Sequence, residues 1–234
     1  MDSWRHTAAV LVADLRRIFA DRLRSLLAYG PRIEGEGEAP LTCLVLVDSL
    51  GMGDLEACAR RARQWRRQAL AIPLILPDQE FHRSLDAFPL EYTEILRAHE
   101  RVFGADPFDG ASVSHEDLRR ACEPQVKSHL VHLREGFIEA GGHPQAISGL
   151  VSASAPAFGA LLRHVARLTG NPSATRASAT HEGARAAGLS DGVVTDMLAI
   201  ERRSSIPTTD AARLFPLYLS AVEQLARAVD GWRT

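Results

Sequence analysis

The sequence predicts an α/β N-terminal domain followed by an all-α helical bundle. Up to residue 112, segments with helical periodicity alternate with short continuous apolar runs, which is the element order of α/β domains. After Ser114, the apolar residues recur only at helical spacing. A chain of 234 residues is long enough for two such parts. We therefore expect one domain over residues 1–112 and a second over residues 113–234.

The first predicted element is one amphipathic helix from Thr7 to Tyr29, because its apolar residues recur at helical spacing. Gly30-Pro31 ends this helix, and residues 32–40 form a loop rich in glycine and glutamate. The apolar run 41–47 is too short for a buried helix and predicts a buried strand that ends at Asp48.

The alternation of helix and strand continues up to residue 112. A helix rich in alanine and arginine is predicted for residues 55–69, with Asp54 as its N-cap. Residues 88–95 are predicted as a strand, because they include aromatic and β-branched residues with partial alternation. Between these two elements we expect a strand at residues 74–76 and a short helix at 79–85.

The second half of the chain is predicted as a helical bundle. Ser114 and Asp117 form a loose capping box at its start, and Gly141-Gly142 ends the first helix. The predicted helices span residues 118–140, 146–168, 180–187, 191–202 and 210–232.

The composition is that of an ordinary globular protein, with 46% hydrophobic and 24% charged residues. The formal net charge of -2 gives no strong nucleic-acid signal, although nearly every cation is an arginine and Lys127 is the only lysine. Three cysteines that lie far apart suggest free thiols. The sequence shows neither a leader segment nor a long apolar run, so we expect a cytoplasmic protein without a membrane partner.

The order and spacing of the N-terminal elements resemble the nucleotidyltransferase superfamily, which includes DNA polymerase beta and kanamycin nucleotidyltransferase. In that family a Gly-Ser turn holds the nucleotide phosphate, and the strand after the next loop carries two carboxylates one residue apart. The residues in the place of this turn are Gly30, Pro31 and Arg32, which the resemblance implies as nucleotide-binding. The element Phe88 to Glu91 looks like that of uncharacterised bacterial members. The resemblance implies a mixed sheet and a C-terminal helical bundle.

The sequence departs from the family at the carboxylates that bind metal. Residues i and i+2 share one face of a strand, and in this register they are Leu41 and Cys43, neither of which is a Mg²⁺ ligand. A shift of one or two residues restores no carboxylate pair. The family also has a third carboxylate on a later strand, and Glu91 occupies its place. Asp48, at the end of the strand, and Glu91 stay as candidates for catalysis and for metal binding. Alternatively, Asp48 caps the following turn and Glu91 pairs with an arginine.

Three further patterns have both a functional and a structural interpretation. His129, His132 and Glu135 are spaced to lie near one helix face and could bind a metal, although a solvated face is the commoner outcome. The arginines between Arg60 and Arg67 could bind phosphate or an acidic partner, or simply face solvent. The Gly51-Met-Gly53 turn is more typical of an ordinary helix start than of a phosphate site.

The sequence therefore favours a degenerate, non-catalytic protein that binds a nucleotide or a protein partner and has a regulatory role. The alternative is a divergent active enzyme that transfers a nucleoside monophosphate to a small molecule, RNA or protein. That enzyme would use Mg²⁺ held by Asp48, Glu91 and one of the loop residues Glu36 or Glu38; otherwise no cofactor is expected. A structural subunit that forms a homodimer is a third possibility, with an apolar stripe made by Leu214, Leu217, Leu225 and Val229.

Overall fold

The structure is a computed structural model that describes residues 3–35, 39–170, 175–203 and 205–232. By its contacts, the chain divides into two compact units, Met1–Ser114 and His115–Thr234. The first unit contains a four-stranded sheet with helices, and the second contains helices. This arrangement confirms the predicted fold class, an α/β domain followed by a helical bundle.

The sheet of the first unit is mixed, with strand order β3-β2-β1-β4. β1 pairs antiparallel with both β2 and β4. β2 pairs parallel with β3, and the helix α2 connects these two strands. The elements of this unit are α1 (Ser3–Phe19), β1 (Leu23–Tyr29), β2 (Thr42–Val47), α2 (Met52–Arg67), β3 (Leu74–Pro77), α3 (Asp78–Arg83), α4 (Pro89–Arg97) and β4 (His99–Gly104).

The prediction of one helix from Thr7 to Tyr29 was wrong in its last third. The helix α1 ends at Phe19, and a short 3₁₀ turn that begins at Ala20 leads into β1. Ala20 has φ +50°, a left-handed conformation that stops an α-helix. Because apolar layers cover both faces of the sheet, β1 is buried on both sides, and its nearly continuous apolar run resembled the face of a helix.

The prediction of a strand at residues 88–95 was also wrong, since this segment forms the helix α4. Pro89 occupies the first turn of α4, where a proline is favoured because its missing N–H group has no helical partner. Tyr92 and Ile95 are buried and lie three residues apart on one face of the helix. The strand that follows is β4, which the sequence analysis missed and which forms one edge of the sheet.

Apolar layers cover both faces of the sheet. One face packs against α1 and α2, and the other packs against α3, α4 and Phe108. Successive residues of a strand point to opposite faces, so β2 contributes to both layers. It places Cys43, Val45 and Val47 in the first layer and Leu44 and Leu46 in the second.

A buried polar contact joins the two helices of the first layer. Asp14 of α1 is 3% exposed, and its Oδ2 accepts a hydrogen bond of 3.0 Å from the indole Nε1 of Trp65 on α2. Its Oδ1 lies 3.2 Å from Nη1 of Arg17 and 3.7 Å from Nη1 of Arg61. The carboxylate therefore satisfies a buried donor and fixes how α1 and α2 pack on the sheet.

The second unit packs its helices around one central helix, α6. The bounds of its helices are α5 (His115–Glu139), α6 (Pro144–Leu168), α7 (Arg176–Ala186), α8 (Asp191–Arg203) and α9 (Thr208–Asp230). Within the described residues, α6 is the one helix long and apolar enough to cross a membrane by composition alone. It packs against α5, α7, α8 and α9, and its Arg163 and His164 are 3% and 4% exposed. These contacts are those of the core helix of a bundle.

The predicted apolar stripe of the last helix is mostly internal. Leu214, Leu225 and Val229 of α9 are buried in the core of the second unit, and Leu217 is exposed. Three of the four residues are therefore used by the bundle itself. Formation of a homodimer stays a prediction.

We expect Asp14→Ala to lower the free energy of unfolding by about 1–3 kcal/mol, because it leaves the buried indole N–H of Trp65 without an acceptor. Denaturation by urea, followed by tryptophan fluorescence, measures this change. The matched control is Asp21→Ala, since Asp21 is exposed. Equal stability of the two variants would contradict the structural role of Asp14.

Candidate functional site

Three strand ends meet at one edge of the sheet. Tyr29, the last residue of β1, is paired with Thr42 at the start of β2 and with His99 at the start of β4. The Gly30-Pro31 turn follows directly, so it lies at this edge. Gly30 has φ +86°, and a Cβ on it would lie 2.8 Å from Oγ1 of Thr42. Only glycine fits this position. We call this end of the sheet, where Tyr29, Thr42 and His99 are paired and the Gly30-Pro31 turn follows, the turn edge.

The Gly30-Pro31 turn offers few hydrogen-bond donors that could bind a phosphate group. Pro31 has no N–H to donate. Arg32 donates a hydrogen bond of 2.9 Å from Nη1 to the carbonyl oxygen of Ala69, which follows α2. The guanidinium group of Arg32 therefore anchors the turn to the neighbouring chain segment. A nucleotide-binding role for Gly30, Pro31 and Arg32 stays a prediction.

Two charged pairs surround the turn edge, and the sequence analysis missed both. Arg97 at the end of α4 forms an ion pair with Glu34, and the two side chains are 19% and 13% exposed. His99 lies 2.8 Å from Asp106 through Nε2 and 2.9 Å from the carbonyl oxygen of Ile95 through Nδ1. Both ring nitrogens of His99 therefore lie within hydrogen-bond distance of an oxygen acceptor, which fixes the orientation of the ring.

The Asp106 carboxylate is stabilised in its charged form. Burial alone raises its pKa, but the hydrogen bonds from His99 and from the backbone N–H of Phe108 outweigh this effect, so its pKa is lowered. Glu34 and Arg97 are 63 residues apart in the chain, so only the packing of α4 beside the turn brings them together. No local pattern in the sequence indicates either pair.

The two positions of the missing carboxylates lie inside the hydrocarbon core. Leu41 is 0% exposed and Cys43 is 2% exposed, and both pack in the layer of α1 and α2. Burial raises the pKa of the Cys43 thiol to about 12, so it stays protonated at neutral pH. On the opposite face, Leu44 is 1% exposed within the second apolar layer. Neither face of this strand offers an oxygen ligand for Mg²⁺ beyond the hydroxyl of Thr42.

Asp48 lies at the other end of β2, away from the turn edge. The six residues of β2 span about 20 Å at the usual strand rise, which separates Asp48 from Gly30 and from Arg32. Asp48 forms an ion pair with Arg24 of β1, and both side chains are partly exposed to solvent. Asp48 and the predicted nucleotide-binding turn therefore belong to different ends of the sheet.

Glu91 is not on a strand, contrary to the prediction. It is exposed in the first turn of α4, about 9 Å along the helix axis from Arg97. Across the described ranges, no group of three or more His, Cys, Asp or Glu side chains is arranged to hold a metal ion. Glu36 and Glu38 lie outside the described residues. A metal role for Asp48 and Glu91 stays a prediction.

Comparison with solved structures identifies the architecture. The chain is similar to the crystal structure of spectinomycin adenyltransferase AAD(9) from Enterococcus faecialis with ATP and spectinomycin, with a TM-score of 0.59. The match covers 96% of this chain and 98% of that one. The protein has a nucleotidyltransferase-like fold. At 13% identity the likeness shows the fold alone. No protein-family model and no curated protein sequence matches the chain.

The glycine turn before α2 is an ordinary helix start within this nucleotidyltransferase-like fold. The N-cap of α2 is Gly51, so the prediction of Asp54 as the N-cap was wrong. The backbone N–H of Gly51 donates a hydrogen bond of 3.0 Å to Oδ2 of Asp54. Arg22 donates to both oxygens of Asp54, at 2.9 and 2.7 Å. The hydrogen bonds from Arg22 and then from Gly51 lower the pKa of Asp54 to about 2. A permanent negative charge at this position repels phosphate.

His129 and His132 of α5 point in different directions. His129 lies 2.7 Å from the hydroxyl of Tyr218 and stacks on Phe158 within the bundle. His132 is exposed, and its Nδ1 bonds to the carbonyl oxygen of Ser128 in the same helix. Burial lowers the pKa of His129 to about 4, so it is neutral at physiological pH. The interpretation of His129 and His132 as a shared metal site has no support in this geometry.

We expect Leu41→Asp and Cys43→Asp to lower the free energy of unfolding by roughly 4 kcal/mol or more, because each buries an unpaired carboxylate. The control is Asp48→Ala, which removes a partly exposed ion pair and costs at most about 1 kcal/mol. Urea denaturation of the three variants measures the difference. Stable aspartate variants would mean that these positions can open to water as a metal site does.

We also predict a pH dependence that comes from His129. The unfolded chain binds a proton at this residue near pH 6.5, whereas the folded protein binds it near pH 4. The stability from this group is therefore fully present above pH 6.5 and falls by about 3 kcal/mol as the pH drops to about 4. Urea denaturation between pH 7.5 and pH 4, with about 0.5-unit steps, measures the slope. His129→Gln should reduce the slope, and an unchanged slope in this variant would contradict the prediction.

Proposed function

We propose that this chain is a pseudoenzyme of nucleotidyltransferase-like fold, which acts in the cytoplasm as a binding or regulatory module for a nucleotide or a protein partner. The observation that supports this proposal is the burial of Leu41 and Cys43, which are 0% and 2% exposed. These residues stand where the resemblance implies two carboxylates.

The chemistry of nucleotidyl transfer explains why this burial matters. Two carboxylates on one strand face hold the Mg²⁺ ions that neutralise the triphosphate and orient the attacking group. A leucine and a protonated thiol provide no oxygen ligand for a hard cation. Since both side chains fill the layer against α1 and α2, the fold uses these positions for its own stability. We infer that the chain lost the metal centre and kept the architecture.

The turn edge supplies the groups that suit a binding role. Arg97 and His99 are nitrogen donors, and each is held in place by a carboxylate of its own, Glu34 or Asp106. An anionic ligand at this edge would compete with these carboxylates for the same donors. Binding without metal would therefore be weak unless the ligand displaces one of the two pairs.

The alternative is a divergent active enzyme that uses Mg²⁺ held by Asp48 and Glu91. The observation that favours it is the similarity over 98% of a solved adenyltransferase chain that contains ATP and spectinomycin. In this alternative the metal site would lie elsewhere than in the family pattern, because Leu41 and Cys43 are buried.

We expect no transfer of labelled nucleoside monophosphate from ATP, GTP, CTP or UTP with Mg²⁺ present, whether the acceptor is spectinomycin, RNA or the protein itself. Transfer above the level without protein, abolished by Asp48→Ala or Glu91→Ala, would overturn the proposal and support the alternative. Calorimetric titration with ATP, with and without Mg²⁺, separates binding from chemistry. The proposal predicts that Mg²⁺ does not strengthen binding.

A further inference from the structure

The outer face of α2 carries a row of arginines. Arg60, Arg63 and Arg67 follow one another at spacings of three and four residues, which places them along one side of the helix. All three are exposed. We call this row the arginine stripe. Residues 60–67 contain five arginines and no acidic residue, although the whole chain has a net charge of -2.

The arginines of the stripe have no partner within the described part of the chain. Neither a hydrogen bond nor an ion pair joins Arg60, Arg63 or Arg67 to another described residue. Arg61, which faces α1, instead reaches Asp14 at 3.7 Å and Gln64 at 3.0 Å. The fold therefore pairs the inward arginine with a carboxylate, whereas the three arginines of the stripe, at the C-terminal half of α2, have none within ion-pair distance among the described residues.

The N-terminal half of α2 exposes two large apolar side chains. Met52 is 69% exposed and Leu55 is 46% exposed, and both are among the most exposed large hydrophobic residues of the first unit. The exposed Glu56 lies four residues before Arg60, on the side of the arginine stripe, and Leu55 lies beside that stripe. The exposed side of α2 thus presents two apolar side chains and one carboxylate at its N-terminal end and three cations at the other.

We propose that this face docks an acidic, amphipathic helix of a partner protein. The arginine stripe rises about 4.5 Å and then about 6 Å along the axis of α2, which matches carboxylates at positions i, i+3 or i+4, and i+7 of a second helix. Met52 and Leu55 supply the apolar contacts that the centre of a protein interface requires. The charges orient the partner and give the interaction its specificity.

The same features fit other polyanions less well. Binding of single-stranded nucleic acid relies on exposed aromatic side chains, but Trp65, the aromatic residue of α2, is 1% exposed. A helix that lies on a membrane needs apolar and cationic strips that run side by side along its length. On α2 the apolar and cationic residues lie end to end. A partner helix with apolar residues at one end and acidic residues at the other can contact both ends of α2.

This inference rests on the proposed binding role but has an independent test. The probe is a fluorescein-labelled helical peptide of about 16 residues, with three glutamates at the matching spacing and two leucines beyond them. Its control replaces the glutamates by glutamine. Fluorescence anisotropy at low and high salt measures the affinity of the full-length protein for both peptides. The turnover assay above measures catalysis separately, so that failure of one proposal leaves the other intact.

The variants separate charge from apolar contact. We expect the triple change Arg60→Gln, Arg63→Gln and Arg67→Gln to weaken binding about tenfold at low salt, since three exposed ion pairs are lost. The double change Met52→Ser and Leu55→Ser should also weaken binding at every salt concentration. The matched control removes three exposed arginines elsewhere, by Arg83→Gln, Arg185→Gln and Arg227→Gln, and should leave the affinity unchanged.

Three outcomes would overturn the inference. The first is absence of peptide binding, and the second is equal binding by the arginine-stripe variant and its matched control. The third is equal or tighter binding of a single-stranded RNA 20-mer or of phosphatidylserine vesicles through the same arginines. Thermal melts confirm that each variant is folded, and since all substituted residues are exposed we expect unchanged melting temperatures.

Discussion

The burial of β2 on both of its faces is the constraint on which the rest of the first unit depends. β2 pairs with β1 on one side and with β3 on the other, while helices cover its two faces. A strand in this position has no side chain that reaches water along its length, so each residue must be apolar or satisfied by the backbone. Thr42 meets this condition because its hydroxyl donates a hydrogen bond of 2.6 Å to the carbonyl oxygen of Tyr29.

The same constraint explains why the side chains of Leu41 and Cys43 are apolar. Both are buried and join the layer of α1 and α2. The charged groups of the first unit then collect at the strand ends and on the helix surfaces, as Glu34–Arg97, His99–Asp106 and the arginine stripe show.

Parts of the fold and of the site could be predicted from local patterns. The apolar run 41–47 was correctly placed as a strand, because its length and flanking turns exclude a helix. Pro89 and Glu91 are the start signal of α4, which was available in the sequence but was outweighed by the aromatic residues nearby. β1 could not be separated from α1 by periodicity, because a strand buried on both faces is simply apolar. Glu34 and Arg97 at the turn edge are 63 residues apart in the chain, so no local pattern reveals this pair.

The sequence by itself determined the order of an α/β unit and a helical bundle, and it determined that no small shift of register restores a carboxylate pair. Both follow from residue type along the chain, which needs no knowledge of contacts. Only the tertiary structure decided where the charged side chains lie. It placed Asp48 at the far end of β2 from Gly30, turned His129 into the bundle core, and left the arginine stripe facing solvent. The physical reason is that burial and pairing are set by the packing of elements distant in sequence, whereas strand and helix periodicity are properties of neighbouring residues.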